Sequence, residues 1–273
     1  MAIIGEQARV LITVKTSPQP SATYGDTVCV AGIRLGGGKP EWIRLYPIPF
    51  RYLDSDQQFH KYDIIDLVVR RRDKDPRKES YSPEWASIRV TDHLDDWKQR
   101  APIMNDVDVT TACQLRADTV SNPNGPSLGF AEVKDVVALN FELHPGWTTA
   151  ERVKIANAME QVDLFGDLAS PPKLEAPRFK VKYRYTCRDA GCTGHDGQIL
   201  DWELTELQRH LKHDSDAEAQ RKITAKFLTM MCDPKRQTRF FLGNFEAAIK
   251  RDKFSVLGIY YPPRTLAASQ SLF

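Results

Sequence analysis

The first ninety residues place the strongest limit on what this chain can fold into. Short, apolar, β-branched segments alternate there with turns rich in proline and glycine. Residues 9–15 (RVLITVK), 27–33 (TVCVAGI), 41–45 (EWIRL) and 62–70 (YDIIDLVVR) each read as a strand, and 84–90 (EWASIRV) suggests a fifth. At least four short strands joined by tight turns predict a small β-barrel. Residues 17–21 (SPQPS) read as a loop, because two prolines so close together cannot continue a ladder.

The rest of the chain mixes periods. Residues 92–100 suggest a short helix or turn, and 110–117 a helix. Residues 130–142 (FAEVKDVVALNFE) suggest one or two strands, and 149–160 a helix capped by Thr148 or Thr149. Residues 169–177 (ASPPKLEAP) have the composition of a linker. Beyond it, 178–185 (RFKVKYRY) alternates like a half-exposed strand, 199–213 and 217–231 predict helices, and 239–243 and 254–261 predict strands. The expected class is α+β. A β-barrel spans 1–100, a mixed connecting segment and linker spans 101–176, and an α+β domain with a Cys/His loop spans 177–273.

Charge is nearly balanced, with 38 Lys+Arg against 36 Asp+Glu in 273 residues, which excludes a strongly basic coat protein and an acidic disordered one. The balance hides a pattern. Residues 1–52 carry a net +3, 101–176 a net −6, and 177–273 a net +6 from seventeen Lys/Arg against eleven Asp/Glu. Basic ends of this kind attract phosphate. No apolar run reaches the roughly 18 residues of a membrane helix. Residues 1–14 lack the features of a secretory signal, and five scattered cysteines do not make a disulfide scaffold. The expectation is a soluble cytoplasmic protein with reduced thiols and no obligate protein partner.

Three constellations could carry chemistry. Cys187, Cys192 and His195 lie within nine residues, in a loop with Gly191 and Gly194, and could converge on a structural Zn²⁺. The fourth ligand would be Asp196, His210, His213 or Cys232, with Cys232 able to close the site from the end of the second helix. The competing reading is a loop with two buried cysteines and one solvated histidine. Asp201 and Glu203 follow at a helix start, where they could activate water with His195 or simply cap the helix. In the first domain Lys15, Arg44, Tyr46 and Arg51 combine cations with aromatics, as a phosphate-and-base contact surface would. Residues 69–78 (VRRRDKDPRK) form a mixed charged loop, and Asp75, Arg77, Glu79, Ser80 and Tyr81 form a polar cluster at its end. Arg77 and Tyr81 could extend the contact surface, and Asp75 is a possible water activator. Nucleotide-binding P-loop, nucleophile-elbow and HExxH zinc motifs are absent.

The strings WIRLYPIPFR, C-x4-C-x2-H followed by DWE, and RFFLGN…FSVLGIYYPP resemble a little-characterised bacterial family linked to phage defence. The likeness covers both ends of the chain and skips the middle. The first domain is similar to PUA-like barrels, several of which read modified bases. The chain is also similar to a bacterial anti-phage DNA glycosylase that removes heavily modified cytosines from phage DNA, and the substrate expected on that basis is glucosylated cytosine. No catalytic motif aligns, so no catalytic residue carries over. The resemblance implies a PUA-like barrel and a DNA partner with modified bases. Asp201, Glu203 and Asp75 are then the acids that could assist base departure. A metal-dependent nuclease using His195, Asp201 and Glu203, and a non-catalytic reader of modified nucleic acid, are the alternatives.

Overall fold

The computed structural model describes residues 5–122, 124–164 and 173–266. Its first half contains β1 (Glu6–Lys15), β2 (Gln19–Ser21), β3 (Gly25–Leu35), β4 (Glu41–Ile48), β5 (Asp63–Arg71), β6 (Ser80–Pro83) and β7 (Arg89–His93). Hydrogen bonding runs β1-β3-β4-β6-β5 and returns from β5 to β1, so five strands close a ring. Each neighbouring pair is antiparallel except β4–β6, which is parallel through Arg44↔Ser80 and Leu45↔Tyr81. Numbered along the chain, the five barrel strands stand in the order 1-2-3-5-4-1. With strands three and five parallel, this is the Greek-key connectivity of the OB barrels. The sequence pattern explains the filling. Alternate residues point inward, and Val10, Ile12, Val28, Val30, Ile43 and Leu45 pack the interior.

Two local expectations change. The proline-rich segment 17–21 contains β2, which pairs with β3 through Pro20↔Asp26. Proline is tolerated because this three-residue strand has one neighbour. The strand expected over 84–90 begins instead as a 3-10 turn, Trp85–Ser87, whose indole Nε1 donates to Pro47 O at 2.9 Å.

The second half contains α1 (Trp97–Asn105), β8 (Val109–Thr110), α2 (Ala112–Ser121), β9 (Leu128–Leu143) and α3 (Thr149–Leu164). After them come β10 (Phe179–Cys187), β11 (His195–Gln198), α4 (Trp202–His210), α5 (Asp216–Thr224), β12 (Arg239–Asn244) and β13 (Phe254–Tyr260). The sheet order is β11-β10-β9-β12-β13. Just past β11, Ile199 bridges Val256 of β13 in parallel, and Leu200 N donates to Val256 O at 2.8 Å. That contact brings the sheet ends together in the same 1-2-3-5-4-1 order. The connectivity therefore occurs twice in one chain, with α4 and α5 between the third and fourth strands of the second copy. The expected α+β class with an N-terminal barrel stands.

The expected division of the second half does not stand. Residues 101–176, expected to be a mixed connecting segment and linker, supply β9, the strand between β10 and β12. The reason is length. The sixteen residues of β9 pair with β12 over 128–132 and with β10 over 133–143, which no linker does. Much of the linker expected over 169–177 lies outside the described residues. Helix starts follow capping chemistry: Asp96 accepts from Lys98 N and Gln99 N, Asp201 from Glu203 N, and Ser215 from Glu218 N. The helix expected to run to 231 ends at Thr224 and widens into a π turn over Ala225–Met230. Among the described residues, no helix is long and apolar enough to cross a membrane.

The two halves share an apolar core. Leu11, Val14, Ala31 and Ile33 of the barrel pack with Phe130, Phe241 and Tyr260 of the second sheet. Phe130 stacks on Phe241 at 5.1 Å and meets Tyr260 edge-on at 5.4 Å. Phe130 is fully buried, so Phe130→Ala should cost about 3–5 kcal/mol. Urea unfolding should remain a single transition, because the shared core couples both halves. Two resolved transitions in the unsubstituted protein would contradict that coupling.

Candidate functional site

A cavity of about 530 Å³ lies between the two barrels, within the roughly 300–1,000 Å³ range of small-molecule sites. Its walls come from equivalent places in each. The first barrel contributes Thr16–Gln19 from its first connection, Thr27 and Cys29 of β3, Arg44 and Tyr46 of β4, and Arg77 from the β5–β6 connection. These are the second and third strands and the 1–2 and 4–5 loops, the surface on which OB barrels bind oligonucleotides and oligosaccharides. The second barrel contributes His144, Trp147 and Glu151 from its own 1–2 connection, and Phe245 and Glu246 from its 4–5 loop.

Buried polar contacts hold the wall. Arg44 is 3% exposed; it donates from Nη1 to Cys29 Sγ at 3.2 Å and from Nη2 to Ser127 O at 2.9 Å. Its Nε has no protein partner. Arg77 grips Asp75 through Nη2 at 2.6 Å and Nε at 2.9 Å, and reaches Asn244 O from Nη1 at 3.2 Å. Glu246 stands 3.6 Å from Arg77 and 3.7 Å from Arg72, and its side chain is 46% exposed. The Arg72 guanidinium lies over Tyr46 at 5.0 Å. Trp147 Nε1 donates to Leu174 O at 3.1 Å, tying the two ends of the α3 excursion together. Glu151 is committed to Thr148, whose hydroxyl and backbone N–H hold its carboxyl below the usual range.

Arg44, Tyr46 and Arg77 of the expected contact residues thus line the cavity, and Lys15, Arg51 and Tyr81 do not. Lys15 turns inward: its Nζ lies 3.5 Å from the Phe50 ring centroid and 4.6 Å from that of Trp202, and donates to Phe59 O at 3.2 Å. Burial pulls its amine down to about 8, against the opposing pull of Glu206, Asp63 and other acids. Arg51 pairs with buried Asp26 at 2.8 Å. Tyr81 sits near the Arg34 and Arg71 guanidiniums at 5.8 and 5.9 Å.

None of the three expected acids lines the cavity. Burial opposes ionisation of Asp75, but hydrogen bonds from the side chain and backbone N–H of Arg77 outweigh it and hold the carboxyl well below the usual range. A carboxylate so occupied is a poor proton acceptor, so Asp75 anchors Arg77 instead of activating water. Asp201 is the buried cap of α4, and burial pushes its carboxyl up to about 6. Glu203 faces Lys226 at 3.8 Å. Of the carboxylates that line the cavity, Glu151, Glu175 and Glu246, the one beside Arg72 and Arg77 is Glu246, which the sequence reading missed. Its place in a short connection between two apolar strands was the available signal.

The Cys/His loop folds into a compact cluster. The ligand atoms of Cys113, Cys187, Cys192 and His195 all lie within 4.8 Å of one another and could hold a metal ion. His195 Nε2 is 3.5 Å from Cys113 Sγ and 3.3 Å from Cys192 Sγ. Gly194, at φ +116°, supplies the backbone turn that returns the chain to β11. Burial pushes the Cys113 thiol up to about 12, helped by the neighbouring thiols. Burial works the same way on Cys187, but hydrogen bonds from backbone N–H groups and His195 prevail and bring it down to about 6.

The fourth member is a correction. Cys232 donates to Phe227 O at 3.4 Å, the carbonyl that also accepts from Tyr183 Oη, and burial pushes its thiol up to about 12. Cys232 lies outside the Cys/His group. Asp196, His210 and His213 are exposed and outside the cluster. Cys113 comes instead from the first turn of α2, far upstream, and no local spacing announces it. Among the described residues, His195, Asp201 and Glu203 do not form a ligand group, so the nuclease triad is not assembled.

Residues 108–273 match the family model described as "Domain of unknown function (DUF8757)", and residues 6–106 match "Domain of unknown function (DUF8758)". No curated protein matches the chain.

Two outcomes follow from this geometry. Cys113→Ser should abolish metal retention, whereas Cys232→Ser should leave it intact, as elemental analysis of the purified variants will read. Asp201 keeps its proton to higher pH in the folded chain than in the unfolded one. The stability contributed by its protonated form should therefore be lost as pH rises from about 3.8 to about 6. Asp201→Asn should remove that slope, worth up to about 3 kcal/mol, while keeping the cap. Denaturant titrations across this pH range will show it.

Proposed function

This chain belongs to the family described as "Domain of unknown function (DUF8757)", and from that premise and the cavity's geometry we propose that it is a DNA-directed defence enzyme that excises modified bases. The observation that carries the reading is the cavity itself. It lies on the face that OB-type connectivity uses for ligands, is flanked by the loops of a second barrel, and is lined by Arg44, Arg77, Tyr46 and Trp147 together. A base drawn from the stack needs an aromatic surface and hydrogen-bond donors in a closed pocket. Gln198, Ser17 and Thr205 add polar groups suited to the hydroxyls of a sugar carried on the base, consistent with glucosylated cytosine as the substrate class. The likeness of the chain's terminal strings to a phage-defence family supports the same direction.

In this reading Arg44 and Tyr46 hold the base, and Glu246 acts beside C1′, oriented by Arg72 and Arg77. The N-glycosidic bond breaks, water adds as hydroxide at C1′, and the departing base takes up a proton. Asp75 is a positioning residue acting through Arg77. Zinc is the metal we assign to the Cys113–Cys187–Cys192–His195 cluster. Its preference for thiolate and imidazole at roughly 2.0–2.3 Å places ligand atoms about 3.5 Å apart, close to the separations seen. With four protein ligands it is structural, pinning α2 to the β10–β11 turn.

Incubation with duplex DNA containing glucosylated hydroxymethylcytosine should give abasic sites, with strand breaks only after alkali. Glu246→Gln should lower the rate by roughly 100-fold or more while leaving binding within a few-fold. Rates unchanged in Glu246→Gln would remove the catalytic assignment. A reader is the second reading, favoured because Asp75, Asp201 and Glu203 all lie off the cavity; tight binding with no abasic product in any variant would establish it.

A further inference from the structure

The connection between β12 and β13 (residues 245–253) takes the same topological place in the second barrel as residues 72–79 take in the first. Its base is braced from inside. Asn244 Nδ2 donates to Arg251 O at 2.8 Å, Arg251 Nε donates to Glu246 O at 3.0 Å, and Ala248–Lys250 forms a 3-10 turn. Phe245 and Glu246, at one foot of the loop, line the cavity. Yet its centre carries Ile249, 84% exposed and the most exposed of the exposed large apolar side chains among the described residues. An unbranched polar residue would serve a solvated loop better. A hydrogen-bonded foot under an exposed aliphatic tip thus stands next to a base-sized cavity.

Charge around the tip indicates the partner. Lys250 and Lys253 are exposed on the same loop, and Lys74 and Lys78 are exposed on the neighbouring one. The two loops are locked to each other by Arg77 Nη1 to Asn244 O and by Arg72 and Arg77 beside Glu246. Four exposed cations therefore lie on the two joined loops, one of which carries the exposed aliphatic side chain, together with the acids Asp73, Glu246 and Asp252. Aliphatic side chains serve proteins that part stacked base pairs, where they fill the gap between steps; single-strand binders use aromatic faces for stacking.

We propose that the 245–253 loop is a duplex-opening wedge. Ile249 enters the base stack at the position vacated by the extruded nucleotide, while Lys250, Lys253, Lys74 and Lys78 take the flanking phosphates. This inference rests on the base-pocket reading above and adds to it that the substrate is double-stranded.

The test uses the full chain, a duplex carrying glucosylated hydroxymethylcytosine with 2-aminopurine as the neighbouring base, and the same strand alone. The unsubstituted protein should raise 2-aminopurine fluorescence on the duplex. Ile249→Ala, at an exposed position that the fold does not need, should abolish that rise. It should weaken duplex binding at least about tenfold, since unstacking costs a few kcal/mol, and leave single-strand binding unchanged. Each of Lys250→Gln and Lys253→Gln should lower the slope of log Kd against log salt by about 1. Equal fluorescence and affinity for Ile249→Ala and the unsubstituted protein on the duplex would overturn the wedge. An unsubstituted protein that binds the single strand but never raises the duplex signal would also overturn it, leaving the base pocket standing. Binding to neither DNA would overturn both.

Discussion

The apolar contact between the two barrels is the constraint on which the rest of the structure depends. Phe130 and Phe241 stack where one outer face of the first barrel meets the second sheet, and Leu11, Val14, Ala31 and Ile33 close around them. The burial of that surface, and not a linker, sets the relative orientation of the halves. Polar contacts refine it. Ser17 N donates to Leu200 O at 2.8 Å, and Ser17 Oγ shares a hydrogen bond with Thr205 Oγ1 at 2.7 Å. As a result the 1–2 and 4–5 loops of both barrels face one volume, and a binding face that a lone barrel leaves open becomes a walled cavity.

Charge is organised by the same packing. Arg44 and Arg77 are buried cations, which is costly unless hydrogen bonds replace water. Asp75, Ser127 and Asn244 supply most of those bonds, and they come from both halves of the chain. The arginines are therefore held in place before any ligand arrives, so their ordering entropy has already been spent in folding. The cysteine–histidine cluster does related work at the far edge. It ties α2, which precedes the second barrel, to the hairpin of its second and third strands.

The sequence showed much of this and hid the rest for definable reasons. Strand periodicity in residues 9–70 was legible because inward residues alternate with outward ones; Arg44 and Tyr46 stood out as a cation and an aromatic on or beside such a strand, and Arg77 in the charged loop that follows. Glu246 did not stand out, since a single acid in a short loop has no spacing to mark it. Cys187, Cys192 and His195 were readable as a local motif, but Cys113 is brought to them only when α2 packs against the β10–β11 turn. Asp75 and Asp201 looked available for chemistry because sequence does not report burial or the partners that consume a carboxylate.

What the sequence by itself determined is the set of local elements: β-branched runs, a helix start at Asp201, and a loop able to gather sulfur and imidazole. Those depend on residues a few positions apart. Only the tertiary structure decided that β9 belongs to the second barrel and that the connectivity occurs twice. It also decided which cations line the cavity and which cysteine completes the cluster. Each of these depends on pairing and burial between segments distant along the chain, and no local periodicity encodes the partner.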